Sequence, residues 1–127
     1  MFALFDYIDK NGNNDIKAWS KKLQKTELGK LNLRLDLLAT KGTDLLPQIL
    51  TNTDTPGIFK LRVHGKIQLR PMLCKGPINN ETEFTLLIGA TERDFCLVPD
   101  KADEKADARK TVIIENNNRR CDHERVS

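Results

Sequence analysis

Two short runs of alternating apolar and polar residues, at 58–63 and 66–70, are the feature that most restricts the fold of this chain. Successive side chains of a β-strand point to opposite faces, so a period of two predicts a strand in each run. The His64-Gly65 dipeptide between the runs predicts a turn, and therefore a β-hairpin. One face of the expected hairpin is apolar, and the other carries Lys60, Arg62, Gln68 and Arg70.

The segment 56–76 around this hairpin is strongly basic. It holds five Lys and Arg residues and no acidic one, whereas the whole chain has a net charge of only +3. Such a cluster repels itself unless an anion lies over it, which favours a binding site for an anionic partner. The alternative is a solvated outer sheet face on which Lys and Arg only maintain solubility, because half-exposed antiparallel sheets commonly alternate in this way.

Length and composition predict one domain that spans residues 1–127. A chain of this size can bury about two-thirds of its unfolded surface, and 39% hydrophobic with 31% charged residues is typical of a soluble globular protein. No apolar run approaches the roughly 20 residues that cross a bilayer. The opening residues 1–9 lack the basic region of a signal peptide. We therefore expect a cytoplasmic protein that makes no membrane contact.

The chain has three cysteines, Cys74, Cys96 and Cys121. Their odd number and the absence of CxxC spacing indicate reduced thiols. A zinc site that uses Cys121 and His123 would need two further ligands from elsewhere in the chain. We therefore expect neither a metal ion nor a cofactor.

The first third of the chain predicts a strand followed by a helical hairpin. Residues 2–8 are rich in strand formers, and Asn13 or Asn14 is a suitable cap for a helix that buries Trp19. A second helix follows after a short connection and ends at Gly42, so the two helices are expected to be antiparallel. The apolar stripe of the second helix consists of Leu28, Leu31, Leu35 and Leu38.

The last third predicts a central strand, a helix and a tail. Residues 83–90 are apolar on both faces, as expected in the middle of a sheet, and residues 94–98 are expected to be a short connection. A charged helix covers 101–115, and the polar segment 119–127 is expected to be flexible. The predicted class is α+β, with an antiparallel sheet made of the N-terminal strand and a three-stranded meander. The helical hairpin covers one face of this sheet, the C-terminal helix follows, and the other face is open and basic.

In this order, the motifs resemble the HigB branch of the RelE/ParE toxin superfamily, in particular the phage-derived HigB-like proteins. The opening FDYIDKNGNNDIKAWSKKL is similar to the family's first strand, turn and Trp-bearing helix, and LNLRLDLLATKG is similar to its leucine-rich second helix. GIFKLRVHGKIQLRPML resembles the two strands that carry the family's arginines. LLIGATERDFCLVPDKADEKADARK resembles the strand that leads to a proline and a charged helix.

The resemblance implies the toxin of a type II toxin–antitoxin system, held inactive by a cognate helix-turn-helix-type antitoxin. It also implies a ribosome-dependent mRNA endoribonuclease that inhibits translation and needs no metal, because the ribose 2′-hydroxyl attacks the adjacent phosphate. Arg62 and Arg70 correspond to the family's strand arginines and would clamp the phosphate, while His123 in the tail or His64 in the turn would move a proton. Glu92 would serve as a base if it lies beside Arg62. Further RNA contacts are expected from Lys60, His64, Lys66, Gln68, Arg93, Arg119 and Arg120.

Two other interpretations remain open at this point. One is a ParE-like toxin that acts on a topoisomerase and cleaves no RNA, and the other is a phage or prophage nucleic-acid-binding module that is catalytically inactive. Several members of the family use a tyrosine or histidine near the end of the last strand or the C-terminus, whereas the only tyrosine here is Tyr7 in the first strand. This difference and the modest net charge favour the ParE-like interpretation.

Overall fold

Nine strands and three α-helices make up the protein, whose computed structural model describes all 127 residues. The expected α+β class is confirmed. A strand, two helices, a set of strands and a last helix follow in the predicted order, but seven strands instead of three lie between the second and the last helix, and a ninth follows the last helix. The helices are α1 (Asp15–Lys21), α2 (Lys25–Lys41) and α3 (Ala102–Glu115), and a short 3₁₀ helix covers Gly42–Leu45. The strands are β1 (Ala3–Tyr7), β2 (Leu50–Asn52), β3 (Phe59–Leu61), β4 (Gln68–Leu69), β5 (Met72–Lys75), β6 (Glu83–Ile88), β7 (Thr91–Arg93), β8 (Cys96–Val98) and β9 (Arg120–Asp122).

Local signals in the sequence explain where the first two helices begin and end. Asn14 caps α1, because its Oδ1 accepts a hydrogen bond of 2.9 Å from the backbone N–H of Lys17 and so satisfies a donor that has no partner inside the helix. Gly42 ends α2 with a φ of 56°, which glycine adopts more readily than any other residue. None of the helices combines the length and the apolar character needed to cross a bilayer.

The main sheet has six strands in the order β2-β3-β5-β6-β1-β9. Strands β3, β5 and β6 form the predicted antiparallel meander, and every residue of β6 is buried, as its apolar sequence indicated. Strand β1 pairs in parallel with β6, so the prediction of a purely antiparallel sheet is wrong at this pair. The long connection between β1 and β6 allows this, because only a crossover can return the chain in the same direction.

Helices cover both faces of the main sheet. On one face, α1 and the leucine stripe of α2 pack over a core that includes Phe84 and Leu86. On the other face, α3 packs on β5 and β6 through Ala102, Ala106 and Ile113. The prediction of an open basic face is therefore wrong for the main sheet, because the small alanine side chains let α3 lie close to these strands.

The predicted basic hairpin is present. Val63 and Leu69 pair through two backbone hydrogen bonds of 3.1 and 3.0 Å, so the chain reverses around His64-Gly65. The same register continues away from the turn, with Lys60 opposite Met72 and Phe59 opposite Leu73. Strand β4 also has a second partner, β7. The expected short connection at 94–98 is instead the turn and second strand of a β7–β8 hairpin. With β4, it completes a three-stranded sheet.

The C-terminal segment 119–127, predicted to be a flexible tail, is docked on the protein. Strand β9 adds to the edge of the main sheet, antiparallel to β1. Beyond it, the backbone N–H of His123 donates to the Leu4 carbonyl at 3.0 Å, and Nδ2 of Asn32 in α2 donates to the Val126 carbonyl at 2.9 Å. The prediction of flexibility is wrong because the charged side chains of this segment have partners on the folded protein.

Gly89 allows α1 to lie close to the end of β6. A Cβ added at this position would lie 2.2 Å from Cδ2 and 2.4 Å from Cγ of Trp19, too close to the indole ring for the present packing. We therefore expect Gly89→Ala to lower the free energy of unfolding by about 1–3 kcal/mol, the usual effect of overpacking a core. Urea denaturation would measure the difference.

Gly29→Ala is the matched control for this substitution. Gly29 lies within α2, and an added Cβ there meets nothing within 4 Å. Since alanine is the better helix former, we expect this variant to be more stable by up to about 1 kcal/mol. If Gly89→Ala were as stable as the parent, the close packing of Trp19 on the sheet would be incorrect.

Candidate functional site

Five polar side chains meet on one face of the hairpin region. Strand β4 pairs with β7 so that Gln68 lies opposite Glu92. The single bridge in the basic hairpin sets Arg62 and His64 across from Arg70 and Gln68, on the face that points away from the core. We call this set the Arg70 cluster, and its members are Arg62, His64, Gln68, Arg70 and Glu92.

Hydrogen bonds orient the members of the Arg70 cluster. Nε2 of Gln68 donates to the Gly65 carbonyl at 3.0 Å, which identifies the other amide atom, Oε1, as the oxygen that faces the cluster. This oxygen accepts from Nη2 of Arg70 at 3.2 Å and lies 3.0 Å from Nδ1 of His64. An amide oxygen can only accept, so Nδ1 of His64 carries a proton. The other ring nitrogen, Nε2, is therefore the one left for proton transfer.

Arg70 lies inside the protein, with 3% of its side chain exposed. Its Nη1 donates to the Leu69 carbonyl at 2.8 Å, and its Nη2 lies 3.9 Å from Oε2 of Glu92. Burial lowers the pKa of the Arg70 guanidinium, Glu92 opposes this effect, and Arg62 adds to it. The prediction that Arg70 projects from the sheet as a phosphate clamp is wrong. Arg70 is instead placed to orient Gln68 and Glu92.

Three members of the cluster reach solvent. His64 is exposed, Arg62 is half-buried, and 27% of the Glu92 side chain is exposed. The sequence allowed a role for Glu92 only beside Arg62. In the structure, Glu92 lies opposite Gln68 and next to Arg70, and Arg70 is the residue across from Arg62. A cation, an imidazole nitrogen and a carboxylate in one cluster can stabilise a phosphate and transfer protons to and from its oxygens without a metal ion.

The other basic residues of this region differ in where they point. Lys60 is half-buried in β3, two residues before Arg62, and so projects from the same side of the extended chain. Lys66 is exposed in the turn. Arg93 follows Glu92 directly in β7 and therefore points to the opposite face of the small sheet. Lys60 and Lys66 can add positive charge beside the Arg70 cluster, and Arg93 is turned away from it.

His123, Arg119 and Arg120 lie at the far edge of the main sheet. Three strands separate β9 from β3, so these residues are about 19 Å from the hairpin at about 4.8 Å per strand. Arg120 forms an ion pair with Glu83, and Nη2 of Arg119 donates to the Tyr7 hydroxyl at 2.8 Å. The structure does not bring these three predicted site residues to the hairpin arginines, and their side chains are engaged in contacts that hold β9 in place.

A second polar cluster, which the sequence did not predict, lies between β1, β9 and α1. Asp6 is 1% exposed, its Oδ1 lies 2.9 Å from Nδ1 of His123, and its Oδ2 accepts from Nδ2 of Asn14 at 2.9 Å. The same Nδ2 lies 3.6 Å from Sγ of Cys121. Burial, and then Asp6, raises the pKa of the Cys121 thiol, which disfavours the nucleophilic thiolate. An acidic residue inside an apolar strand was the only sequence signal for this cluster.

The cysteines form no disulfide, and no three His, Cys, Asp or Glu side chains are arranged to hold a metal ion. The zinc site considered for Cys121 and His123 therefore lacks its additional ligands. Burial raises the pKa of the Cys74 thiol to about 12, so this residue is part of the core and is chemically inert near neutral pH.

Comparison with known proteins gives no relative for this chain. No protein-family model, no curated protein and no solved structure matches it. The Arg70 cluster and the motifs of the sequence are therefore the basis for a functional interpretation.

Proposed function

We propose that this protein is the toxin component of a type II toxin–antitoxin system and acts as a metal-independent endoribonuclease on mRNA at the ribosome. The observation that carries this proposal is the Arg70 cluster, which groups the free nitrogen of His64, the carboxylate of Glu92 and the guanidinium of Arg62 on one face. A RelE/ParE-like fold is part of the proposal. The order of strand, helical hairpin and antiparallel meander supports it.

In the proposed reaction, the ribose 2′-oxygen attacks the adjacent phosphorus. Glu92 accepts the 2′-hydroxyl proton as the new O–P bond forms. The bond from phosphorus to the 5′-oxygen breaks, and protonated His64 gives its Nε2 proton to that oxygen. Arg62 stabilises the additional negative charge on the phosphate with its planar pair of donors. The products are a 2′,3′-cyclic phosphate and a 5′-hydroxyl.

The proposed roles of two residues change from those the sequence suggested. Arg70 becomes a positioning residue, because it holds Oε1 of Gln68 and so keeps the proton of His64 on Nδ1. Of the two candidate histidines, His64 is the proposed proton donor and His123 loses this role, since His123 pairs with buried Asp6 at the far edge of the sheet. Both changes follow from contacts between strands that are distant in sequence.

The proposed partners are mRNA, the ribosome and a helix-turn-helix-type antitoxin, all in the cytoplasm. Positive charge beside the cluster supports contact with phosphates, because neutralising them releases counterions. An antitoxin that covers the Arg70 cluster would inhibit the enzyme without any change in fold. The residues expected to contact phosphates are Lys60, Arg62 and Lys66.

A second candidate function is RNA binding without cleavage. The burial of Arg70 favours it, because a guanidinium that donates to Leu69 and Gln68 is unavailable to a phosphate in the transition state. A ParE-like toxin that binds a topoisomerase is the third possibility, in which the basic residues meet a protein surface. Incubation with mRNA in a translating extract separates the endoribonuclease from the other two functions, since only the endoribonuclease yields fragments that end in a 2′,3′-cyclic phosphate.

Arg62→Ala is expected to abolish these fragments and to weaken binding to single-stranded RNA. With three cations at phosphates, the slope of log affinity against log salt should be about −2, at about 0.7 per contact. Removal of one contact should bring the slope to about −1.4. Fluorescence anisotropy with a labelled oligonucleotide at several salt concentrations would measure both values.

Arg93→Ala is the matched control, because Arg93 is exposed but points to the other face of the small sheet. We expect it to leave the slope and the fragments unchanged. A salt-independent affinity in the parent protein would contradict phosphate contact and favour a protein target.

A further inference from the structure

A cleft of about 370 Å³ lies between α2 and residues Val63 and His64 of the basic hairpin. One wall is an exposed face of α2, and the other is formed by the hairpin. The cleft is next to the Arg70 cluster, since His64 belongs to both. Its lining consists of Lys30, Leu33, Arg34, Leu37, Val63 and His64.

The floor of the cleft is aliphatic. Leu33 is 67% exposed although it lies in the middle of a helix, and Leu37 lies one turn further along the same face. Single exposed leucines are common, but leucines that line a concave surface together are typical of an interaction site. Nucleic-acid sites instead use aromatic side chains on which bases stack, and this cleft has none. The floor therefore fits the apolar side chains of a peptide.

The rim of the cleft is cationic. Lys30 and Arg34 are four residues apart on α2 and so lie on one side of the helix, and His64 lies on the opposite wall. Neither Lys30 nor Arg34 forms an ion pair within the protein, and no acidic residue lines the cleft. An occupant with carboxylates on both sides of an apolar stripe would be complementary to this rim.

We propose that the cleft binds an acidic amphipathic helix of a partner protein, which packs along α2 and covers His64. Residues 30–37 span about 10 Å at 1.5 Å per residue, so two turns of the partner would fill the cleft. Leucine-like residues at i and i+4 or i+7 would contact Leu33 and Leu37, and glutamates beside them would face Lys30 and Arg34. Because the bound helix covers His64, it would also inhibit cleavage of RNA. This inhibition rests on the proposed role of His64, whereas the binding of the helix does not.

The test uses the full chain and a synthetic helical peptide of about 14 residues, with leucines at i, i+4 and i+7 and glutamates beside them. We expect Leu33→Glu to weaken binding of this peptide at least tenfold, and the double variant Lys30→Glu/Arg34→Glu to do the same. Isothermal titration calorimetry would measure the affinities. A peptide with lysines in place of the glutamates should not bind.

Matched controls come from α3, on the other side of the sheet. Ile114 is 57% exposed, and Lys101 and Lys105 are exposed, so Ile114→Glu and the double variant Lys101→Glu/Lys105→Glu make the same changes of charge away from the cleft. We expect both to bind the acidic peptide as the parent does. Equal binding by the parent and Leu33→Glu, or no binding of the acidic peptide at all, would overturn the proposal.

Chemical modification tests whether the bound peptide covers His64. Diethyl pyrocarbonate reacts with exposed imidazole nitrogens, and mass spectrometry locates the product. We expect the peptide to protect His64 and to leave the slight reaction of largely buried His123 unchanged. Binding of the peptide without protection of His64 would mean that the peptide lies elsewhere on the protein, and would overturn the proposal. None of these measurements involves cleavage, so a failure here is distinct from a failure of the endoribonuclease function.

Discussion

Deleting residues 119–127 is expected to lower the free energy of unfolding by about 3–5 kcal/mol. The deletion removes β9 and leaves two buried carboxylates without their partners, because Asp6 loses His123 and Glu83 loses Arg120. Removing one partner of a buried ion pair typically destabilises a protein by this amount. Urea denaturation followed by circular dichroism would give the difference.

Arg125→Ala is the control that separates buried from exposed pairs in this segment. Arg125 and Asp36 are 56% and 58% exposed, and an ion pair of this kind contributes about 0.2–1 kcal/mol at most. If the deletion changed stability no more than Arg125→Ala does, the segment would be a free end after all. His123, Arg119 and Arg120 would then return as candidates for contact with RNA.

The parts of the fold that follow from local patterns could be predicted. The leucine stripe of α2, the cap at Asn14 and the end of the helix at Gly42 each depend on residues a few positions apart. The central position of β6 follows from its apolar residues on both faces. The type and the buried face of such an element can be predicted from the spacing of its own apolar residues.

The parts that depend on distant partners could not be predicted. The apolar stripe of α3 is thin, yet Ala102 and Ala106 are fully buried, because small side chains let a helix approach a sheet closely. The tail is polar, but His123 and Arg120 are largely buried because their partners, Asp6 and Glu83, lie on distant strands. Composition does not distinguish a solvated charge from a paired one.

The candidate site also depends on pairing between strands that are distant in sequence. A period of two correctly grouped Arg62, Gln68 and Arg70 on one face, but it treated that face as solvent-exposed. The three-stranded sheet covers part of this face. Its strand β7 pairs with β4, and Glu92 of β7 lies beside Arg70, whose guanidinium is buried. The residues at 94–98 lack a strong strand pattern, so the sequence predicted a connection where the structure has the turn and outer strand of a hairpin.

Replacing His64 by asparagine is expected to slow mRNA cleavage by about 10²- to 10⁴-fold, the range for loss of a general acid or base. The asparagine amide nitrogen can take the place of Nδ1 and donate to Gln68, but asparagine has nothing equivalent to Nε2 that releases a proton. The hydrogen bonds that orient Gln68 and Arg70 are therefore kept. Single-turnover cleavage in a translating extract would give the rate, with RNA affinity and urea denaturation as checks that only the chemical step changed.

Glu92→Gln completes the test, because Glu92 is the proposed base for the same reaction. If both residues act in one concerted step, the double variant should be much less impaired than the product of the two single effects. Normal cleavage by both His64→Asn and Glu92→Gln would mean that the Arg70 cluster does not transfer the protons of this reaction. Absence of cleavage by the parent protein, together with the loss of RNA binding in Arg62→Ala, would favour the non-cleaving module, in which the cluster binds RNA and performs no chemistry.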